Sequence, residues 1–259
     1  MLDRSRNLSR QAPALCYRSA AFTLIEMMLV ISLITLLISM LMPSLSKAKA
    51  TARSVICMSN LHQQTIAITG YTDTSRHFPG AHTSSHNTPG FNWIVWAPRL
   101  RQFTDGANSD WFWCPDAQPS AKWKMQFGSG LPAKYGYRAD EVRLEWFTPF
   151  SYGYNNWGTR DFSVPQYGLG GLTEHPDWGE LHADRVRQPS NMVAIGDSQV
   201  DGVWDAFIDT DQPQELPATR HPAGAANIGF VDGHVESNSL DVILRFDQLQ
   251  RWNSDGVFH

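Results

Sequence analysis

Six residues near the start of the chain, Ala21-Phe22-Thr23-Leu24-Ile25-Glu26, decide how the rest is interpreted. They lead into a predominantly apolar run from Met27 to Met42, so residues 22–42 form one apolar segment with a single carboxylate. As a helix this segment is about 31 Å long at ~1.5 Å per residue, which is enough to cross a bilayer. A charged side chain is costly in hydrocarbon, so Glu26 is predicted to be functional and to have a partner.

The partner that the sequence suggests for Glu26 is a new α-amino group, made by a cut between Ala21 and Phe22. The block resembles the type IV prepilin signature, in which a small residue precedes Phe-Thr-Leu-Ile-Glu and an apolar helix. This resemblance implies that a prepilin peptidase removes residues 1–21 and methylates the amine of Phe22. It also implies that Glu26 neutralises the N-terminus of a neighbouring pilin-like subunit during assembly. The usual residue before the cut is Gly, and Ala21 is also small, so we expect processing at a reduced rate.

The segment before the cut predicts an orientation. Its net charge is +3, because it carries four arginines and one aspartate: Arg4, Arg6, Arg10, Arg18 and Asp3. Such an excess of arginine keeps that end of an apolar helix in the cytoplasm. We therefore expect a single-pass protein of the bacterial inner membrane with a periplasmic C-terminal domain, which later enters a filament or reaches the cell surface.

An ordinary secretory signal peptide is the alternative interpretation of the same segment. Ala48-Lys49-Ala50 has the small-x-small pattern of its cut site. Its apolar core would be long for a signal peptide, and this interpretation leaves Glu26 unexplained.

Charge and cysteine content restrict the remaining functions. Without residues 1–21, 17 of the 21 basic and 24 of the 25 acidic residues remain, a net charge near −7. This balance argues against nucleic-acid binding, which requires basic patches.

Cys16 lies in the leader, and Cys57 and Cys114 are expected outside the cytoplasm, where disulfides persist. A Cys57–Cys114 disulfide and two buried free thiols are the two states that this location leaves open.

Three segments follow from these patterns: a basic leader over 1–21, a long helix over 22–75 and a globular domain over 76–259. Pro43 is predicted to kink the helix or melt it locally. Beyond Pro43 the residues expected to form its buried apolar stripe recur every three or four positions. They are Leu45, Ala48, Ala52, Val55, Ile56, Ser59, Leu61 and Ile66.

The C-terminal part of the chain carries the strand signals. Residues 191–197 are typical of a buried strand, and Asp232-Gly233 between two apolar runs predicts a hairpin. Residues 240–246 fit either a strand or a short helix, and 115–184 is irregular. The fold class is therefore predicted as α+β and pilin-like, with a long helix on an antiparallel β-rich domain with irregular loops.

The blocks around Cys57, Trp113-Cys114-Pro115, Arg220-His221 and Asp232-Gly233 are similar to those of bacterial prepilin-like proteins with an "H-x9-DG" element. The resemblance assigns His221, Asp232 and Gly233 to that element. Ten residues rather than nine separate His221 from Asp232, which a one-residue insertion after His221 would explain. The element indicates the family and implies little about mechanism.

Three other residue patterns are candidate sites. Gly196-Asp197-Ser198 superficially resembles a hydrolase block, but the nearby Asp-Gly-His spacing does not fit such a site. An acid-rich stretch is a weak calcium candidate, since calcium takes 6–8 oxygen ligands, and a solvated loop is the alternative. Its acids are Asp197, Asp201, Asp205, Asp209 and Asp211. His77, His82 and His86 are interpreted as surface residues rather than zinc ligands.

The sequence is rich in tryptophan, which is interpreted mainly as core and alternatively as a stacking surface for sugars or peptides. The residues concerned are Trp93, Trp96, Trp111, Trp113 and Trp157. The predicted function is a pilin-like or pseudopilin subunit of a type II secretion or type IV pilus-like filament, which is not an enzyme and requires no cofactor. The alternatives are a membrane-tethered or exported carbohydrate-binding module and, least favoured, an exported hydrolase.

Overall fold

The computed structural model describes residues 22–83, 93–104, 109–124, 133–139, 142, 144–156, 167–173, 179–210 and 212–257. The chain divides into two compact units, Met1–Leu45 and Ser46–His259. Helix α1, Leu24–Ser75, contains residues of both. Ala21, His86, Trp157 and Asp211, which the sequence singled out, lie outside the described residues.

Helix α1 continues through Pro43. The predicted local melting at this residue is therefore wrong. Proline removes one hydrogen bond, to the carbonyl four residues earlier, and the helical turns on both sides remain. The helix ends at Ser75, where Arg76 takes a left-handed conformation with φ of 63°.

The face that α1 buries differs from the predicted apolar stripe. Of the predicted residues only Leu61 is buried, whereas Val55 is 58% and Ile66 53% exposed. The buried residues are Ser54, Cys57, Asn60, Leu61, Gln64, Thr65, Ala67, Ile68 and Thr72. Hydrogen-bond partners explain why this face of α1 is buried, because Asn60 and Gln64 donate hydrogen bonds to the carbonyls of Trp113 and Trp111. Polar groups can be buried at low cost when they are paired in this way.

The described residues of the second unit form seven short strands and two further helices. The strands are β1 His82–Thr83, β2 Tyr152–Asn155, β3 Leu172–Thr173, β4 Val193–Asp197, β5 Phe207–Ile208, β6 Ala225–Phe230 and β7 Val235–Ser239. The helices are α2 Trp96–Leu100 and α3 Leu240–Ile243, so the segment 240–246 begins as a helix rather than a strand. Short 3-10 turns connect these elements, for example Asp110–Phe112 and Phe246–Trp252.

Five of the strands form one sheet in the order β5-β2-β4-β6-β7. The β2–β4, β4–β6 and β6–β7 pairs are antiparallel, as expected, but β5 pairs parallel to β2. The predicted hairpin is confirmed as β6–β7, and Gly233 takes the positive φ of 100° that its turn requires. A separate parallel pair joins β1 and β3.

The C-terminal part of α1 packs on this sheet. A methyl group at Gly229 of β6 would lie 2.8 Å from Cγ2 of Thr65, so only glycine allows this close approach. Cys57, Leu61 and Ile68 join an aromatic core around Trp96, which stacks on Tyr154. A smaller cluster beside α3 contains six further side chains with Ile243: Val193, Ile208, Ala226, Ile228, Phe230 and Trp252.

Candidate functional site

The first candidate site is the start of α1. Every described side chain from Phe22 to Lys49 is exposed, and α1 is the one helix among the described residues that is long and apolar enough to cross a membrane. Thr23 precedes the helix, and Glu26 lies in its first turn. An exposed apolar surface of this length requires lipid or other protein to cover it.

Thr23 and Glu26 form a reciprocal cap at this helix start. Oε2 of Glu26 accepts hydrogen bonds from the backbone N–H and the hydroxyl of Thr23, both at 2.8 Å. Oγ1 of Thr23 in turn accepts from the N–H of Glu26 at 3.2 Å. This is the geometry of a capping box, which satisfies N–H groups that the helix leaves unpaired. The Thr-x-x-Glu spacing was visible in the sequence, but the role of Thr23 was not predicted.

The second candidate site is the buried imidazole of His221, which lies between two carboxylates. Nε2 is 2.9 Å from Oδ2 of Asp197, and Nδ1 is 3.1 Å from Oδ2 of Asp116. The side chains of His221 and Asp197 are fully buried. Asp197 also accepts the backbone N–H of Asn227 at 2.7 Å, and Asp116 pairs with Arg53 of α1. The network therefore connects α1, β4 and β6.

Opposing effects set the protonation of His221. Burial by itself lowers the pKa of the imidazole, but the hydrogen bonds and charges of Asp197 and Asp116 outweigh it, so the pKa is raised. An imidazolium donates from both ring nitrogens, and both nitrogens face a carboxylate. The charged form of His221 therefore stabilises this arrangement.

The Asp232-Gly233 turn, which the sequence comparison with prepilin-like proteins grouped with His221, also contacts α1. The carbonyl oxygen of Gly233 lies 2.7 Å from Nδ1 of His62 and accepts a hydrogen bond from Thr65 at 3.3 Å. Asp232 accepts from the backbone and ring of His234 and so closes the turn. His221, through Asp116 and Arg53, and Gly233 thus connect the sheet to the helix at separate points.

Cys57 and Cys114 form a disulfide, with their Cα atoms 5.2 Å apart. Among the described residues these two cysteines and His221 are the set with potential metal-ligand atoms within 4.8 Å of one another. Cysteine binds metals as a thiolate, and the disulfide removes both thiolates. The bond instead joins α1 to the segment that carries Asp116.

Among the described acids of the acid-rich stretch 197–211, the side chains of Asp201 and Asp205 hydrogen-bond to each other, and Asp197 lies apart from them. Asp197 faces His221. Asp205 accepts the backbone N–H groups of Phe150 at 3.1 Å and Gly202 at 3.0 Å, and burial raises its pKa to about 6. Asp209 is also buried. The carboxylates of Asp197 and Asp205 thus have hydrogen-bond partners within the protein.

The remaining sequence candidates occupy structural positions. The hydroxyl of Ser198 is buried and donates to the backbone carbonyls of Gln199 and Phe207. His82 is buried against Trp204 and Phe207, so its expected surface position is wrong. It lies in β1, whose residues face the core, and loop composition alone did not indicate this.

Comparison with known families gives two matches. The prokaryotic N-terminal methylation motif matches residues 16–42, and a family described as "Protein of unknown function (DUF1559)" matches residues 46–163. The first range contains Phe22 and Glu26, the second contains both disulfide cysteines, and His221 lies outside both. No curated protein and no solved structure matches the chain. The methylation motif at the start of a long apolar helix, followed by a sheet-rich domain, is consistent with a prepilin-like protein.

Proposed function

We propose that this chain is a pilin-like subunit of a type II secretion or type IV pilus-like filament. A prepilin peptidase cuts between Ala21 and Phe22 and methylates the new amine. The observation that carries the proposal is a methylation motif on an apolar helix that is exposed along its whole first part. Lipid covers this helix before assembly, and other pilin-like subunits cover it afterwards.

Glu26 supplies the electrostatic part of assembly. Both hydrogen bonds from Thr23 end on Oε2, and we assign the other oxygen, Oε1, to the amine of an incoming subunit. The methylated amine of a neighbouring Phe22 is a partner of opposite charge that the processing step itself creates. A carboxylate is tolerated in hydrocarbon when such a charge offsets it. Assembly in this scheme is non-covalent, and this chain performs no catalytic step.

Orientation follows from the charges of the leader. The arginines before Ala21 remain in the cytoplasm, and the domain beyond α1 is periplasmic. The disulfide between Cys57 and Cys114 supports this, since disulfides persist outside the cytoplasm. Ala48-Lys49-Ala50, the cut site of the alternative signal peptide, lies inside α1, whereas proteolysis favours exposed, irregular segments.

Shearing of cells tests the filament directly. In a host with a prepilin peptidase and an assembly system, we expect the chain in the sheared filament fraction at the mass of the processed form. An isogenic strain without the peptidase should retain the full-length chain in the inner membrane. Recovery of the protein as a soluble periplasmic species in both strains would contradict the proposal.

A further inference from the structure

A groove of about 610 Å³ lies between α1 and a wall formed by residues of 103–104 and 110–122. Its helix wall carries Ile56, Asn60, Gln63 and Ile66, which recur every three or four residues. This volume falls in the range of about 300–1,000 Å³ that is typical of small-molecule sites. The groove belongs wholly to the second unit and takes no part in the processing or assembly described above.

The opposite wall presents an aromatic ring with charged groups at its edge. Trp113 is half-buried, and its indole N–H donates to the carbonyl of Gln118 at 3.3 Å. Nζ of Lys122 lies 5.5 Å from the centre of the ring and 2.7 Å from Oδ1 of Asp110. The wall therefore combines a fixed ring with a donor and an acceptor on exposed side chains.

The two walls are held together at their base. The Cys57–Cys114 disulfide joins them covalently, and Nδ2 of Asn60 donates to the carbonyl of Trp113 at 3.1 Å. Gln64 makes a similar bond, 2.9 Å long, to the carbonyl of Trp111. Such a groove is preformed, so a ligand does not have to order it.

We propose that this groove binds a neutral saccharide, with Trp113 as the stacking platform and Asp110, Lys122 and Gln63 as hydrogen-bonding groups for hydroxyls. A pyranose ring has apolar C–H faces and a polar rim. The groove offers the indole face of Trp113 for the C–H faces, and the amide of Gln63 and the charged groups of Asp110 and Lys122 for the rim. Ile56 and Ile66 add apolar surface for the C–H groups. An exposed cation–π contact is worth only about 0.5–1 kcal/mol, so a sugar can replace Lys122 over the ring.

The charges of the groove and of the whole chain favour a neutral ligand. The processed chain is strongly acidic, with a net charge near −7, and the groove's own charges, Lys122 and Asp110, cancel each other. An anionic glycan is therefore disfavoured. A second copy of this chain is disfavoured because the centres of protein interfaces are depleted in charged residues.

Binding is tested on the full-length chain in detergent with an array of immobilised glycans. The probes are β-1,4-glucan, β-1,4-xylan, β-1,4-mannan and dextran as neutral glycans, with alginate and heparin as anionic ones. We expect binding to at least one neutral probe and to neither anionic probe. A chain that binds none of the neutral probes, or only the anionic ones, overturns the proposal.

Variants locate the site. Asp110→Ala changes an exposed side chain, so the fold is retained, and we expect binding at least about tenfold weaker because a charged hydrogen-bond partner is lost. Trp113→Ala should abolish binding. Trp146→Ala is the matched control, since Trp146 is 43% exposed but lies outside the groove, and it should bind normally. Binding that survives Asp110→Ala and Trp113→Ala, or that depends on Trp146, overturns the assignment to this groove. The assay needs no filament, so its failure is distinguishable from failure of assembly.

Discussion

Replacing Glu26 by valine is expected to leave membrane insertion intact and to reduce incorporation into filaments by at least about tenfold, because loss of one member of a desolvated charge pair weakens association strongly. Valine preserves the apolar character of the helix, so the variant still enters the membrane. The methylated amine of a neighbouring subunit, however, then meets hydrocarbon instead of a carboxylate. Membrane fractionation and the sheared filament fraction measure the two steps separately.

Two further variants separate the charge of Glu26 from its role as a helix cap. Glu26→Gln keeps an oxygen that can accept both hydrogen bonds from Thr23 but removes the charge, so it should fail as Glu26→Val does. Thr23→Val removes the hydroxyl of the cap and keeps the carboxylate, so it should assemble. If Glu26→Gln assembled normally and Thr23→Val did not, the cap rather than the charge would be the function of Glu26.

Replacing His221 by alanine is expected to lower the free energy of unfolding by about 3–5 kcal/mol, the range for breaking a buried ion pair. Asp116 keeps Arg53 as a partner, whereas the fully buried Asp197 loses its cation. Denaturant unfolding of the detergent-solubilised chain, followed by tryptophan fluorescence, measures the change. Adding Asp197→Asn should recover part of the loss, because it removes the stranded charge.

A second histidine between carboxylates is the matched control for His221. His234 lies 2.6 Å from Asp232 and 3.5 Å from Glu236, but it is 39% exposed, so His234→Ala should cost about 1 kcal/mol or less. His221 is the buried one of the two, whereas His234 is partly exposed and stacks on the ring of Phe230 with centres 4.2 Å apart. Equal losses for the two variants would contradict a buried ionic role for His221.

The raised pKa of His221 also predicts how stability depends on pH. The unfolded histidine titrates near pH 6.5, so its stabilisation is complete below that pH and is lost as the pH rises through the higher folded pKa. The stabilisation from Asp205 is likewise lost as the pH rises, but at lower pH, between the pKa of an unfolded aspartate and its folded pKa of about 6. The decrease in unfolding free energy above pH 6.5 should therefore disappear in His221→Ala.

Local chemistry explains which features the sequence predicted. The start of α1 depends on Thr23 and Glu26, which are three residues apart. The β6–β7 hairpin depends on Asp232 and Gly233, and the strand that ends at Asp197 depends on a short apolar run. The buried face of α1 does not depend on neighbouring residues. Its position is set by a disulfide and by side chains that pair with backbone carbonyls far along the chain, so a search for apolar periodicity selected Val55 and Ile66 instead.

The His221 network was hidden for the same reason. His221 and Asp197 were both singled out, but as parts of different patterns, and no pattern indicated Asp116 or Arg53. Their association is a property of the folded domain, in which α1 and the sheet bring four distant residues together. Titratable residues that face one another across elements cannot be recognised from spacing in one sequence.

The N-terminal residue of the processed protein tests the proposed pairing most directly, because the carboxylate of Glu26 has its partner only if Phe22 carries a free terminus. N-terminal sequencing and intact mass of protein purified from a host with prepilin peptidase should give N-methylated Phe22 as the first residue. A sequence that begins at Thr51, after Ala48-Lys49-Ala50, would contradict the proposal, because α1 would then have lost both Phe22 and Glu26.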